Sequence, residues 1–314
     1  MDTSGRQHGG LLTGDDIAKW SATYEDAVSF DYHGYTVCKT GPWGQGPVFL
    51  QQLALLSGLD IGYMDPNGSD FVHTVIESAK LAFADREAYY ADPDFSPVPL
   101  ETLLSKSYAV ERRGMINEEA STDLAHGNID GYEGYIITGN FTSSGKQDLG
   151  EFGAGEPTVA NNGFTPGDTC HLDVIDKHGN MISATPSGGW LQGSPVIPGI
   201  GFCLNTRAQM FWLDERSPNS LAPGKRPRTT LTPSLAMRDG KPYMAFGTPG
   251  GDQQDQWSLV FFLRHIHHGM NLQEAIDAPA FHSEHWPSSF YPRQAFPNRL
   301  VMERRFRKDT INDL

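Results

Sequence analysis

Residues 117–167 are rich in Gly, Ser, Thr, Asn and Asp with almost no recurring apolar period, so about fifty consecutive residues have no face of their own to pack. Whatever core the chain builds must come from the parts on either side. The stretch itself is then a linker or a loop awaiting cleavage. Before it, "GPVFLQQLALLSGLDI", "DFVHTVIESAKLAFADREAYY" and "LETLLSKSYAVERRGMI" repeat apolar residues at three- and four-residue spacing, which predicts three helices. The turn "MDPNGSD" separates the first two, with Asp70 expected as the second helix's N-cap. Ahead of these, "FDYHGYTVCKT" alternates and predicts a strand or hairpin.

After residue 167 the period changes to two. "TCHLDVID" and "NMISATPS" are joined by "KHG", and "PSLAMR" and "PYMAFG" by "DGK", both hairpin-like. Two helices come next, in "QWSLVFFLRHIHHGM" and "NLQEAIDA"; Asn271 with Glu274 three residues on makes a capping-box start to the second, and Pro279 ends it. Helices, then paired strands, then helices imply an α+β layered body.

The totals bound the function classes. At 314 residues and 38% hydrophobic content the chain can bury a real core. A balance of 24 basic against 38 acidic residues, formally -14, disfavours nucleic acid and anionic membrane and leaves small molecules as partners. Cys38, Cys170 and Cys203 are too scattered for a disulfide framework, which fits a reducing compartment. "MDTSGRQHGG" has no basic-then-apolar leader and no apolar run approaches the ~20 residues a membrane helix needs, so the expectation is cytoplasmic. Neither "GPWGQG" nor "SGGWLQGSP" has nucleotide-loop spacing, although Trp43 and Trp190 in them suit a pocket lining.

Thr169 stands between Asp168 and Cys170 at the mouth of an alternating strand. A hydroxyl is a poor nucleophile at neutral pH without an adjacent base, and one recurring solution is the threonine's own α-amine, freed by cutting the preceding peptide bond. That solution requires a Thr that opens a strand, a long exposed segment ahead of it, and converging backbone N–H donors. "GTPGG", with Gly250 and Gly251 between a strand and a helix, offers such donors. Composition and spacing alone favour a plain strand-opening Thr and an ordinary Gly-Gly turn.

The longer motifs change that weighting. "GDTCHLDVIDKHGNMISAT", "LAPGKRPRTTLTPSLAMRDGKPYMAFGTPGGDQQ" and "GMNLQEAIDAPAFH", in that order, resemble the small subunit of the γ-glutamyltranspeptidase family. "HGGLLTGDDIAKW", "YHGYTVCKTGPWGQGPVFLQQL" and "KLAFADREAYYADPDF" resemble the latter part of its large subunit. The resemblance implies an N-terminal nucleophile hydrolase with a four-layer αββα sandwich. Residues 1–168 would be large-subunit-like and residues 169–314 small-subunit-like, together one domain cleaved at Asp168–Thr169. It further implies Thr169 as nucleophile, Ser187 beside it, Gly250 and Gly251 as the oxyanion hole, and Thr229 and Thr230 as substrate-carboxylate binders. No metal or organic cofactor is implied. The two fragments are expected to stay associated, and a homodimer is compatible with the pattern.

Three departures qualify the resemblance. Where the family carries paired Asn and paired Asp for the substrate's ammonium, this chain reads "LNTRAQMF", with Arg207 and Gln209 as candidate substrate-binding residues and no carboxylate. Gly189 replaces a family Asn, as in the acylase-like branch, so a γ-glutamyl or glutaryl-type amide is the expected substrate. An Arg207 that prefers an anionic acyl group and an exposed, solvated Arg207 weigh equally, while Arg226 and Arg228 face either an acidic substrate or the loop surface. The family pattern also extends beyond both ends of this chain. An inert, shortened paralogue serving as a binding module is the main alternative. A zinc hydrolase built on His265, His267, His268, His282, Glu284 and His285 is the weaker one, because HExxH spacing is absent.

Overall fold

A computed structural model describes residues 11–137, 169–188, 196–197, 199, 201, 203–290 and 293–314. The predicted cleavage bond includes Asp168, and Gly189 and Trp190 belong to the departures and candidate lining; all three lie outside the described residues. A short helix α1 (Gly14–Lys19) with a Thr13–Asp16 capping box precedes strands β1 (Val28–Tyr32) and β2 (Tyr35–Lys39). Helices α2 (Gly46–Leu56), α3 (Ser69–Tyr89), α4 (Leu100–Leu103) and α5 (Lys106–Arg113) follow. Strands β3 (Leu172–Ile175), β4 (Met181–Ala184), β5 (Ser234–Arg238) and β6 (Lys241–Phe246) come next. Helices α6 (Gln254–His268) and α7 (Leu272–Asp277), strands β7 (Phe281–Ser283) and β8 (Leu300–Met302), and helix α8 (Lys308–Asp313) complete a mixed helix and sheet architecture.

The main sheet is antiparallel in the order β1-β2-β5-β6, so strands from before and after residue 168 pair directly, Val37 opposite Ala236. Both of its hairpins turn on two residues with positive φ: His33 (49°) and Gly34 (83°), then Asp239 (51°) and Gly240 (69°). This is the turn whose twist matches paired strands, and it explains why "HG" and "DG" were legible as hairpins. β3 pairs with β4 and lies against the main sheet, where the Ser183 hydroxyl accepts from the Ser234 N–H at 3.3 Å.

Every residue of α2 is buried, as expected of a helix that is apolar nearly all round. It packs with α3 and α6 against one face of the sheet. Phe246 stacks on Phe262 at 5.6 Å with planes 2° apart, and Phe49 leans on both. Beyond α3, Phe83 stacks on Trp286 at 3.8 Å in a second apolar cluster. No helix among the described residues is long and apolar enough to cross a membrane.

Three sequence expectations are corrected. Gly68 is the N-cap of α3, and Asp70 lies inside its first turn, where an acid still favours the helix dipole. The predicted helix over 100–116 is two, because Ser105 accepts from the Tyr108 N–H and restarts the chain as α5. Thr169 does not open its strand; β3 begins three residues later at Leu172. The Asn271–Glu274 capping box is present.

On α6, His267 shares a 2.9 Å hydrogen bond with the Tyr32 hydroxyl. Burial, with His33 and His268 nearby, pushes its pKa down from 6.5 to about 4. Between those values the unfolded chain binds the proton that the folded chain refuses, so stability rises with pH across that window. Denaturant midpoints should therefore fall as pH is lowered from 6.5 towards 4, and His267→Gln should flatten that slope.

Candidate active site

Thr169 is positioned by the continuation of the β3–β4 pairing past the ends of both strands. The Cys170 N–H donates to the Pro186 carbonyl at 3.0 Å. This sets Thr169 opposite Ser187, with the two hydroxyl oxygens 2.8 Å apart. Two residues on, His171 bonds Thr185 and Asp173, each at 2.8 Å, and its ring fills the space where Gly247 has no side chain. A Cβ on Gly247 would stand 2.3 Å from that ring. The glycine thus lets the segment that carries Thr169 close on the "GTPGG" segment.

Ser187 also meets Arg207. The Thr206 N–H donates to the Gly188 carbonyl at 2.7 Å, drawing "LNTRAQMF" against the end of β4. From the short turn Arg207–Met210 the Arg207 guanidinium donates to Ser187 Oγ and lies 5.3 Å over the Phe290 ring. Arg207 is only 4% exposed, so the solvated alternative is ruled out. The same segment is held from behind by Arg293, which donates to the carbonyls of Gln209, Met210 and Phe211 at 3.2, 2.9 and 2.6 Å. Gln209 Nε2 reaches Thr206 Oγ1 at 3.3 Å, leaving its buried Oε1 without a partner.

Gly250 and Gly251 adopt φ of 139° and 55°, and the Trp257 ring occupies the side-chain space of Gly250 at 2.6 Å. The turn is anchored by the next residue. The buried carboxylate of Asp252 accepts from Arg86 on α3, from the Ser289 N–H at 2.8 Å and from the Ser289 hydroxyl at 2.6 Å. Burial opposes that charge, but Arg86 and Ser289 outweigh it and hold the carboxyl below its ordinary value. Arg86 also bonds Gln45 Oε1 and Glu87, and Glu87 takes Arg228 at 2.7 Å.

The structure therefore joins Thr169, Ser187 and Arg207 in one hydrogen-bonded chain. Thr229 and Thr230 are placed by other contacts. The Thr229 N–H donates to the Trp43 carbonyl at 2.8 Å, and both hydroxyls are buried without a partner among the described residues. Arg228 is buried on Glu87, while Arg226 pairs with Glu25 and Asp92 and stacks 4.9 Å from the Trp43 ring. Arg228 is thus held by the buried carboxylate of Glu87, and the partly exposed Arg226 by Glu25 and Asp92. Of the histidines weighed for zinc, His267 meets the Tyr32 hydroxyl, whereas the buried His268 Nε2 has no hydrogen-bond partner among the described residues. His265 bonds the Tyr243 hydroxyl and the Met270 carbonyl, His282 faces Glu284, and His285 Nδ1 accepts from the Asn298 N–H. No cluster of three His, Cys, Asp or Glu side chains suited to a metal occurs among the described residues. Sequence reading missed Arg86, Asp252, Ser289 and Arg293. The one local signal was the charged run "DRE" late in α3.

The hydroxyl pair thus stands just beyond the ends of two paired strands on a mixed α and β scaffold. The family model described as Gamma-glutamyltranspeptidase matches residues 1–314, and the chain belongs to that family. A glutathione hydrolase proenzyme of Pseudomonas sp. (strain A14) is 30% identical over 90% of this chain and 46% of its own length. The acylase ACY 1 proenzyme of Pseudomonas sp. (strain SE83) is 32% identical over 88% of this chain and 44% of its own. The solved cephalosporin acylase from Bacillus halodurans superposes with a TM-score of 0.73 at 30% identity, covering 97% of this chain and 47% of that one. The structure of LmbA2991HD gives 0.85 at 50% identity, covering 100% and 52%. The chain spans about half the length of the relatives it matches.

Removing Arg86 would leave Asp252 and Glu87 buried with one cation fewer. Arg86→Met is expected to cost about 3–5 kcal/mol in urea unfolding, the penalty for breaking a buried pair from one side.

Proposed function

We propose that this chain is a γ-glutamyltranspeptidase-type N-terminal nucleophile amidohydrolase with the four-layer αββα fold. Residues 1–168 would supply the large-subunit-like portion and 169–314 the nucleophile-bearing portion of one domain. The observation that carries the reading is the contact of Thr169 with Ser187, 2.8 Å apart, in a chain of this family.

In maturation, Thr169 Oγ1 attacks the carbonyl carbon of residue 168. The C–N bond breaks as the nitrogen takes up the hydroxyl proton, giving an ester and a free α-amine; water then hydrolyses the ester to the Asp168 carboxylate and restores the hydroxyl. In turnover, the new amine takes the Thr169 proton while Oγ1 attacks a substrate amide. Gly250 and Gly251 N–H groups are assigned to the developing oxyanion, the substrate amine leaves with the proton, and water releases the acid from the Thr ester. Hydrolysis is favoured over transfer to a peptide acceptor.

The fragments should remain together after cleavage, because β2 pairs with β5 across the junction and three buried ion pairs cross it as well: Lys39–Asp255, Arg86–Asp252 and Arg228–Glu87. For the acyl group, "LNTRAQMF" offers a buried arginine and an amide in place of acids, and Thr229 and Thr230 contribute two unpartnered hydroxyls. A γ-glutamyl or glutaryl-type acyl group fits that inventory, and lack of a carboxylate for an ammonium favours glutaryl.

Purified protein should resolve on a denaturing gel into two chains, the smaller beginning at Thr169 by mass spectrometry, that co-elute under native conditions. Thr169→Ala should stay intact, and a parent chain that also stays intact on prolonged incubation refutes the reading. With matured protein, a panel of γ-glutamyl, glutaryl and succinyl anilides should favour glutaryl; a γ-glutamyl preference would overturn that assignment.

A further inference from the structure

We infer that Arg207 is a positioning residue for the nucleophile, polarising Ser187 and through it favouring negative charge on Thr169 Oγ1. This rests on Thr169 being the nucleophile and goes beyond the substrate-binding role proposed for Arg207.

The direction of the hydrogen bonds carries the inference. A guanidinium has donors only, so Ser187 Oγ must accept from Arg207. A serine hydroxyl that accepts there keeps its own proton, and in the orientation the proposal assigns, that proton is given to Thr169 Oγ1, 2.8 Å away. A permanently charged group is thereby placed one hydroxyl from the reacting oxygen. It is fixed in place. Arg207 is 4% exposed and lies over Phe290, and its turn is tied to Gly188 through Thr206 and braced by the Arg293 contacts to three consecutive carbonyls. Away from water such a cation acts more strongly on its neighbours than it would at the surface. The relay is already assembled in the uncut chain, where the Thr169 nitrogen is still a peptide N–H and offers no base.

Self-cleavage separates the two roles, because it involves no exogenous acyl group. An Arg207 that only binds substrate would leave maturation untouched and raise KM for carboxylate-bearing anilides. An Arg207 that acts through Ser187 changes maturation itself. The experiment follows conversion of the full 314-residue chain by mass spectrometry across a pH series, for the parent, Ser187→Ala, Arg207→Met, Arg207→Lys and the Ser187→Ala/Arg207→Met double variant, each checked for native near-ultraviolet circular dichroism. Loss of one charge-assisted hydrogen bond predicts that Arg207→Met matures about ten- to a hundred-fold more slowly, with its pH–rate profile moved to higher pH. Arg207→Lys should restore part of the rate and return the profile towards the parent's. In the Ser187→Ala background Arg207→Met should cost little more, since the relay is already cut.

Maturation of Arg207→Met at the parent's rate and pH dependence overturns the inference, as does a double variant whose losses simply multiply. If Arg207→Met fails to fold, the Arg207→Lys variant decides: slower conversion with a profile near the parent's supports the relay, and an unaltered rate overturns it. A parent that never matures refutes the functional reading and takes this inference with it, whereas a maturing parent with an insensitive Arg207 refutes the inference alone.

Discussion

Among the described residues, three buried cations tie the part of the chain before residue 169 to the part after it. Lys39 sits 3.0 Å from Asp255 with both side chains fully buried, Arg86 clamps Asp252, and Arg228 meets Glu87. In each pair one partner precedes residue 169 and the other lies beyond it. Isolated buried ion pairs contribute little net stability against well-packed apolar groups, yet losing one partner is costly because the other is stranded. Such pairs are effective at specifying how two parts of a chain must meet. Here they stand beneath the glycine turn: Asp252 comes directly after Gly251, and Asp255 lies in the first turn of α6.

The surrounding hydrogen bonds extend this bracing towards Arg207 and the Thr169–Ser187 pair. Arg86 reaches from α3 to Gln45 and Asp252, Ser289 closes on the same carboxylate, and Phe290 beside it supports Arg207. Arg293 then holds the backbone that carries Arg207. The main charged residues of the region are thus connected through neighbours within two or three positions of one another. This arrangement gives the hydroxyl pair of Thr169 and Ser187 a rigid setting, which short hydroxyl-to-hydroxyl contacts need because each side chain has only one rotatable bond to fix.

The family motifs supplied the residues proposed for the site. Thr169, Ser187, Gly250 and Gly251 were all selected from the sequence, and the first two do meet. Reading Arg207 was harder. Its place where the family carries acids left an anion binder and a solvated surface arginine equally open, whereas the structure buries it over Phe290 with a donor on Ser187. Arg226 and Arg228, read as substrate-facing or as loop surface, are held by Glu25, Asp92 and Glu87. No local pattern marks those partners, which lie more than a hundred residues upstream.

What the sequence determines alone is local. Two-residue turns at His33–Gly34 and Asp239–Gly240, the Asn271 cap and the apolar period of α2 arise from backbone sterics and side-chain spacing within a few residues. The tertiary structure decides which carboxylate neutralises which cation, that Ser105 divides a predicted helix, and that Thr169 stands three residues ahead of its strand. These outcomes depend on groups brought together from distant parts of the chain. Electrostatic partnership in a dry interior is set by distance in space, for which separation along the sequence carries almost no information.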